Sequence, residues 1–261
     1  MAHDHLIEVL DLDVEVLHAY HHELITWVGR EAADRPHIAD LGAGSGSGSL
    51  SLARELPGSR ITAVDVSPEM LAHLRARADA AGLGDRIRTV EADLDRPWPD
   101  LGPLDVIWAA ASLHHMADPA AALTAAFQAL RPGGLLVIAE LEGFPRFLTG
   151  TADEEAEAHW HAVAAKGRHD AGLHMHENWA ARATQAGFTE VTERHFDIDL
   201  RPPLPEATTR YAAALLHRMR HGLGDRLSPS DLAALEQVLA GLPGRNDLTV
   251  RTERTVLLAR R

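Results

Sequence analysis

The chain has 261 residues, 46% hydrophobic and 24% charged, enough apolar material for one large α/β domain with insertions. A formal net charge of −13 argues against a general nucleic-acid or anionic-membrane binder, and the absence of cysteine excludes disulfides, thiolate catalysis and Cys-ligated zinc. Acidic residues through Glu15 leave no apolar core for a signal peptide, and no run approaches the ~20 apolar residues of a membrane span, so a cytoplasmic protein is expected.

Residues 6–34 read as one or two amphipathic helices. Strands and helices then alternate: strand 37–41, helix 46–56, strand 60–65, helix 68–81, strand 86–91, strand 104–109, helix 119–130 and strand 135–140. Ser67 before Pro68-Glu69 is a helix start, with proline at the first helical position and an acid in the first turn. Such alternation predicts a parallel sheet with helices on both faces. Two stretches, about 142–178 and 199–246, interrupt the later strands at 187–193 and 249–258 and contain helices at 206–221 and 231–240.

The most specific stretch is Asp40-Leu41-Gly42-Ala43-Gly44-Ser45-Gly46, an apolar strand that runs into glycines at alternate positions. Glycines there permit a tight turn and a close backbone approach to a ligand. The next strand, Ile61 to Asp65, ends on a carboxylate placed to accept hydrogen bonds from ribose hydroxyls. The dinucleotide fingerprint would put its third glycine at position 47, which is Ser47. Together these residues read as a nucleoside-cofactor site.

The glycine stretch resembles motif I of the class I S-adenosylmethionine-dependent methyltransferases. Val64-Asp65-Val66-Ser67-Pro68-Glu69-Met70-Leu71, Glu91-Ala92-Asp93-Leu94 and Leu130-Arg131-Pro132-Gly133-Gly134 follow in the family's order. The resemblance is specific over residues 36–140. It implies a seven-stranded, mostly parallel Rossmann-like sheet whose last strand is antiparallel, with a helical lid formed by residues 1–35 and the two insertions on a core of 36–261. It implies that S-adenosylmethionine is bound by Asp40, Leu41, Gly42, Ala43, Gly44, Gly46, Asp65, Val66, Met70, Ala92, Asp93, Leu94, Ala109 and Ala110. Asp65 would take the ribose, Asp93 the adenine amino group and Asp40 the methionine end.

By the same resemblance, Leu113-His114-His115 lies next to the transferable methyl, and either histidine is a candidate base or orienter for the acceptor. The Asn/Asp-Pro-Pro-Tyr signature of amino-directed enzymes is missing there. Tyr20, His21 and Trp27 are candidates for the acceptor pocket, with Arg210, Tyr211, His217 and Arg218 of the second insertion weaker ones. Histidines cluster at 159–161 and 174–176, but no His-Glu-x-x-His helix is present and no metal is expected. The expectation is a small-molecule methyltransferase, monomeric or homodimeric, acting by O- or C-methylation on a natural-product or quinone-like metabolite and releasing S-adenosylhomocysteine. Two alternatives stand beside it: an NAD(P)-dependent oxidoreductase and a non-catalytic S-adenosylmethionine-binding protein.

Overall fold

A computed structural model describes residues 2–261, with side chains from Leu6 onward. Its chain divides into two compact units. One comprises Ala19–Leu141, His174–Phe196 and Thr255–Arg261, and the other comprises the segment ending at His18 with Glu142–Leu173 and Asp197–Arg254.

The first unit is built on parallel strands β1 (His37–Leu41), β2 (Arg60–Asp65), β3 (Ile87–Glu91), β4 (Leu104–Ala110) and β5 (Leu130–Leu141). Strands β6 (Thr189–Leu200) and β7 (Val250–Arg260) complete a seven-stranded sheet of order β3-β2-β1-β4-β5-β7-β6. Ile38, Ala39 and Leu41 of β1 and Val106, Ile107 and Trp108 of β4 are at most 1% exposed. Near-continuous burial of this kind is what a parallel sheet covered on both faces requires. The last strand runs against its neighbours. Gly133 N–H donates to Arg261 O and Arg261 N–H returns to Gly134 O, and His195 lies beside Thr255 on the other side.

Helices α2 (His18–Glu31), α3 (Ser47–Glu55), α4 (Pro68–Ala80), α5 (Pro119–Ala129) and α7 (Trp179–Gln185) accompany the sheet. Ser67 caps α4 by accepting the Met70 N–H, with Pro68 opening the helix. Asp118 caps α5 by accepting from Ala120 and Ala121. Two strands run longer than the sequence suggests. β5 begins at Leu130, which pairs with Leu104 before a register shift, although Pro132-Gly133-Gly134 interrupts the apolar run. β6 continues to Leu200 because Phe196, Ile198 and Leu200 keep the period-two pattern beyond residue 193.

The second unit is helical: α1 (Ala2–Val16), α6 (Thr151–Asp170), α8 (Thr208–Leu223) and α9 (Pro229–Gly241). α1 packs along α8. Tyr211 of α8 is 1% exposed and donates its hydroxyl to Asp13, which also neutralises the buried Arg254 at 3.0 Å. The first helical segment of the sequence is therefore divided, α1 belonging to this unit and nearly all of α2 to the sheet unit. Among the described residues, no helix is long and apolar enough to cross a membrane.

Candidate active site

Parallel sheets present ligands at the carboxyl ends of their strands. After β1 the chain turns through Gly42, Gly44 and Gly46 with φ of 68°, 54° and 81°, the left-handed region that glycine enters without a Cβ clash. A Cβ on Gly46 would run into the Leu74 side chain of α4, and one on Gly42 would lie 2.6 Å from Ser112 Cβ. The missing side chains thus let α4 and the end of β4 close against the loop. Gly42 and Ala43 N–H groups both donate to Val64 O at 2.8 and 3.0 Å, tying the loop to the end of β2.

Asp65 sits at that end. Its Oδ2 accepts the Gly44 N–H and its Oδ1 the Ser67 N–H, each at 2.8 Å. A carboxylate offers about four acceptor positions, so ribose hydroxyls have room on the remaining two. Val66 next to it is 66% exposed, the one large apolar side chain so presented among the described residues. An apolar face beside a ribose-binding acid suits a purine. Ala92 donates its N–H to Asp65 O at 3.0 Å, placing the end of β3 alongside. Asp93 is exposed and accepts the Asp95 N–H at 3.0 Å, Leu94 is buried, and Met70 is packed away at 4% exposure.

Asp40 is buried and accepts the Ser49 hydroxyl of α3 at 2.6 Å. Burial pushes its carboxyl up to about 6; the Ser49 hydrogen bond opposes that rise and the nearby Asp65 charge adds to it. Two buried donors lie near it. Trp108 Nε1 and Ser112 Oγ have no hydrogen-bond partner among the described residues, and a Gly48 Cβ would lie 3.3 Å from that indole nitrogen and 3.5 Å from Asp40 Oδ2. Unpaired buried donors cost free energy unless a ligand takes them. The donor set therefore fits a nucleoside carrying a charged, polar tail: ribose at Asp65, base at Val66, tail at Asp40. Leu41 and Ala109 are buried in the strands behind this surface, while Ala43 and Ala110 are half-buried at its edge.

β4 leaves the sheet through Ala111, held at φ 51°, a strained value for a residue with a Cβ. A single 3-10 turn, Leu113–His115, follows. His114 is 4% exposed, and its Nδ1 lies 2.6 Å from Glu140 Oε2 of β5. Glu140 is 3% exposed and accepts the Leu113 N–H on its other oxygen at 3.0 Å. With Glu140 ionised, Nδ1 carries the proton and donates, which leaves Nε2 as a proton acceptor. His115 is exposed, its ring 4.1 Å from that of His114. The main-chain oxygen of His114 accepts the His174 N–H at 3.0 Å, so the segment after α6 closes on this turn.

The remaining candidates fall in two places. In the sheet unit, Tyr20 and Trp27 are each 7% exposed; Tyr20 makes edge contacts with His21 and Phe196, and Arg194 lies over the Trp27 ring at 3.8 Å. In the helical unit, Arg210 pairs with Glu8 at 3.3 Å and Tyr211 is held by Asp13. No three His, Asp or Glu residues among those described gather as a metal set; His159 pairs with Asp231 and His174 with Glu177, both at 3.2 Å. A polar cleft of about 520 Å³ lies at the opposite, amino-terminal ends of β1 and β2, lined by His37, Arg60 and Thr62 among others. Sequence reading missed Glu140, Trp108 and Ser112. Glu140 carried a usable signal, being an acid at the carboxyl end of an otherwise apolar strand.

Residues 38–134 match the family described as "Methyltransferase domain". A release factor glutamine methyltransferase of Chlorobaculum tepidum is 48% identical over 30% of this chain and 28% of its own length. A demethylmenaquinone methyltransferase of Thermus thermophilus is 38% identical over 42% of this chain and 49% of its own length. The chain thus spans half or less of these curated relatives. An S-adenosylmethionine-dependent methyltransferase of Geobacter sulfurreducens, solved with S-adenosylhomocysteine, superposes with a TM-score of 0.52 at 22% identity, over 92% of this chain and 91% of that one. Glycine loop, strand order, antiparallel last strand and family match agree: residues 38–134 match the methyltransferase-domain family and lie in a seven-stranded sheet with the class I S-adenosylmethionine-dependent methyltransferase fold.

Proposed function

We propose that the chain is an S-adenosylmethionine-dependent methyltransferase that acts on a small-molecule acceptor at oxygen or an acidic carbon. The observation that carries the acceptor half is the buried His114–Glu140 pair, two residues beyond the Ser112 that packs on the glycine loop. When bound, S-adenosylmethionine supplies an activated methyl carbon on a sulfonium and leaves as S-adenosylhomocysteine. The protein's part is to orient the acceptor, keep water out and take its proton. Glu140 fixes the His114 ring through Nδ1–H, and Nε2 receives the proton from the acceptor hydroxyl or C–H. This orienting logic is general to histidine bases held by a carboxylate.

The glutamine-directed relative shares sequence with this chain over less than a third of it. Here the segment after β4 is Ala110-Ala111-Ser112-Leu113-His114-His115, without the paired prolines that hold a planar amide. A quinone-like or natural-product acceptor accords better with a buried base and with the menaquinone-pathway relative.

The test screens phenols, hydroxy-acids and keto-acids for methylated product by mass spectrometry, then compares variants on an accepted substrate. His114→Ala lowers kcat by about 10²–10⁴-fold with S-adenosylmethionine affinity unchanged, the usual range for loss of a general base. His115→Ala has a small effect. Equal turnover by wild type and both variants would show that the histidines are structural. S-adenosylmethionine binding without transfer to any acceptor would favour a non-catalytic binding protein.

A further inference from the structure

The helical unit holds a second set of polar side chains that the methyl-transfer site does not use. Along one face of α6, at helical spacing, stand Glu157, His161, Ala164 and Arg168. Glu157 is fully buried, and both its oxygens are engaged by the Phe147 and Leu148 N–H groups at 2.8 and 3.1 Å. His161 is 8% exposed, and its Nε2 has no hydrogen-bond partner among the described residues. Two nitrogens of Arg168, Nε and Nη1, are buried and equally without partners, while its guanidinium lies over the Phe144 ring at 4.4 Å.

Elsewhere in this unit such cations are neutralised. Arg254 has Asp13 at 3.0 Å, and Arg245 has Asp153 and Asp247 at 2.5 and 2.7 Å. Arg168 has no such acid: burial lowers its pKa and no carboxylate raises it. Around His161 the charges are also cationic, from Arg146 and Arg168, and with burial they hold the imidazole neutral, its pKa lowered to about 4. A neutral imidazole still donates one N–H. An aromatic-stacked guanidinium and an N–H, both with buried nitrogens unanswered, form a donor set of the sign an oxyanion requires.

We propose that α6 carries a carboxylate-binding site of its own, made by Arg168 and His161. The anion site does not rest on the methyltransferase reading above. Because the nitrogens are shielded, occupation displaces the half-buried Arg168 side chain along the Phe144 ring and draws its guanidinium onto the carboxylate.

The experiment titrates the full chain calorimetrically with succinate, citrate, inorganic phosphate and the neutral succinamide, with and without saturating S-adenosylhomocysteine. A carboxylate binds and succinamide does not. Arg168→Gln weakens the carboxylate by roughly tenfold to a hundredfold, the range for a charged hydrogen bond, while Arg168→Lys retains part of the affinity. Arg220→Gln, an exposed arginine paired with Glu236, leaves it unchanged. S-adenosylhomocysteine affinity is the same in all variants, which also shows them folded. No carboxylate binding to wild type, binding of phosphate alone, or equal binding by Arg168→Gln overturns the subsite. Carboxylate binding that depends on Arg168 in a chain that fails to bind S-adenosylhomocysteine keeps the anion site and overturns the methyltransferase reading instead.

Discussion

Asp65 does two jobs with one carboxylate. It ties Gly44 and Ser67 main-chain amides together and leaves two acceptor positions, which the proposed site gives to a ribose. Replacing it with alanine is expected to cost about 1.5–3 kcal/mol of S-adenosylmethionine affinity, the worth of hydrogen bonds to a charged group. Titration calorimetry reads this directly, and unchanged affinity would place the ribose elsewhere. In the proposed reaction Glu140 acts through His114, whose Nδ1 it holds at 2.6 Å. In Glu140→Gln, the amide cannot hold the Nδ1–H with a full charge, so kcat falls and its acid limb moves while the affinity for S-adenosylmethionine stays level. A variant with unaltered kcat and pH profile would reduce the pair to packing. Asp65 was readable from sequence because its position after the glycines is local. Glu140 was legible only as an acid ending an apolar strand, and its pairing was not, because its partner lies 26 residues away in the turn after β4.

At the level of elements, the glycine loop works through absence of side chains. Gly46 at φ 81° is packed against Leu74 of α4, so Gly46→Ala meets both the left-handed penalty and a steric overlap. A loss of about 2–4 kcal/mol in unfolding free energy follows from those two terms, read as a lower urea midpoint. A midpoint equal to wild type would show that the loop relaxes without cost. The parallel strands were legible because burial on both faces writes continuous apolar runs, Ile61 to Val64 and Val106 to Ala109 among them. The cap of α4 was legible for the same local reason: Ser67 accepts the Met70 N–H as its sequence suggests. In the helical unit α8 and α9 were legible as helices at 206–221 and 231–240, but the gathering of three separate stretches of chain was not, and the buried polar face of α6 gives no apolar stripe to read.

For the molecule as a whole, buried ionisable groups make stability depend on pH in opposed directions. Burial pushes Glu157 up to about 7, above the 4.5 of an ordinary glutamate. The native state therefore takes up this proton first as pH falls from 8, and the group's contribution rises toward pH 4.5 and is lost as pH rises through 7. His161, lowered to about 4, does the reverse: the unfolded chain protonates near 6.5 before the native state does, so its contribution declines as pH falls from 6.5 to 4. Asp40, raised to about 6, sides with Glu157. Glu157→Gln should remove one of the two favourable terms and make stability fall more steeply on acidification from pH 7 to pH 5, measured by urea unfolding at each pH. An unchanged slope would mean that Glu157 titrates at its ordinary value.

In the proposed site Gly42, Gly44, Gly46, Asp65 and Asp40 hold S-adenosylmethionine. Calorimetric titration of the purified chain with S-adenosylmethionine, S-adenosylhomocysteine and NAD tests it most directly. We predict dissociation constants in the micromolar range for the first two, about −8 kcal/mol at 1 μM, with no measurable heat from NAD. Tight NAD binding with no signal from either adenosyl compound would contradict it.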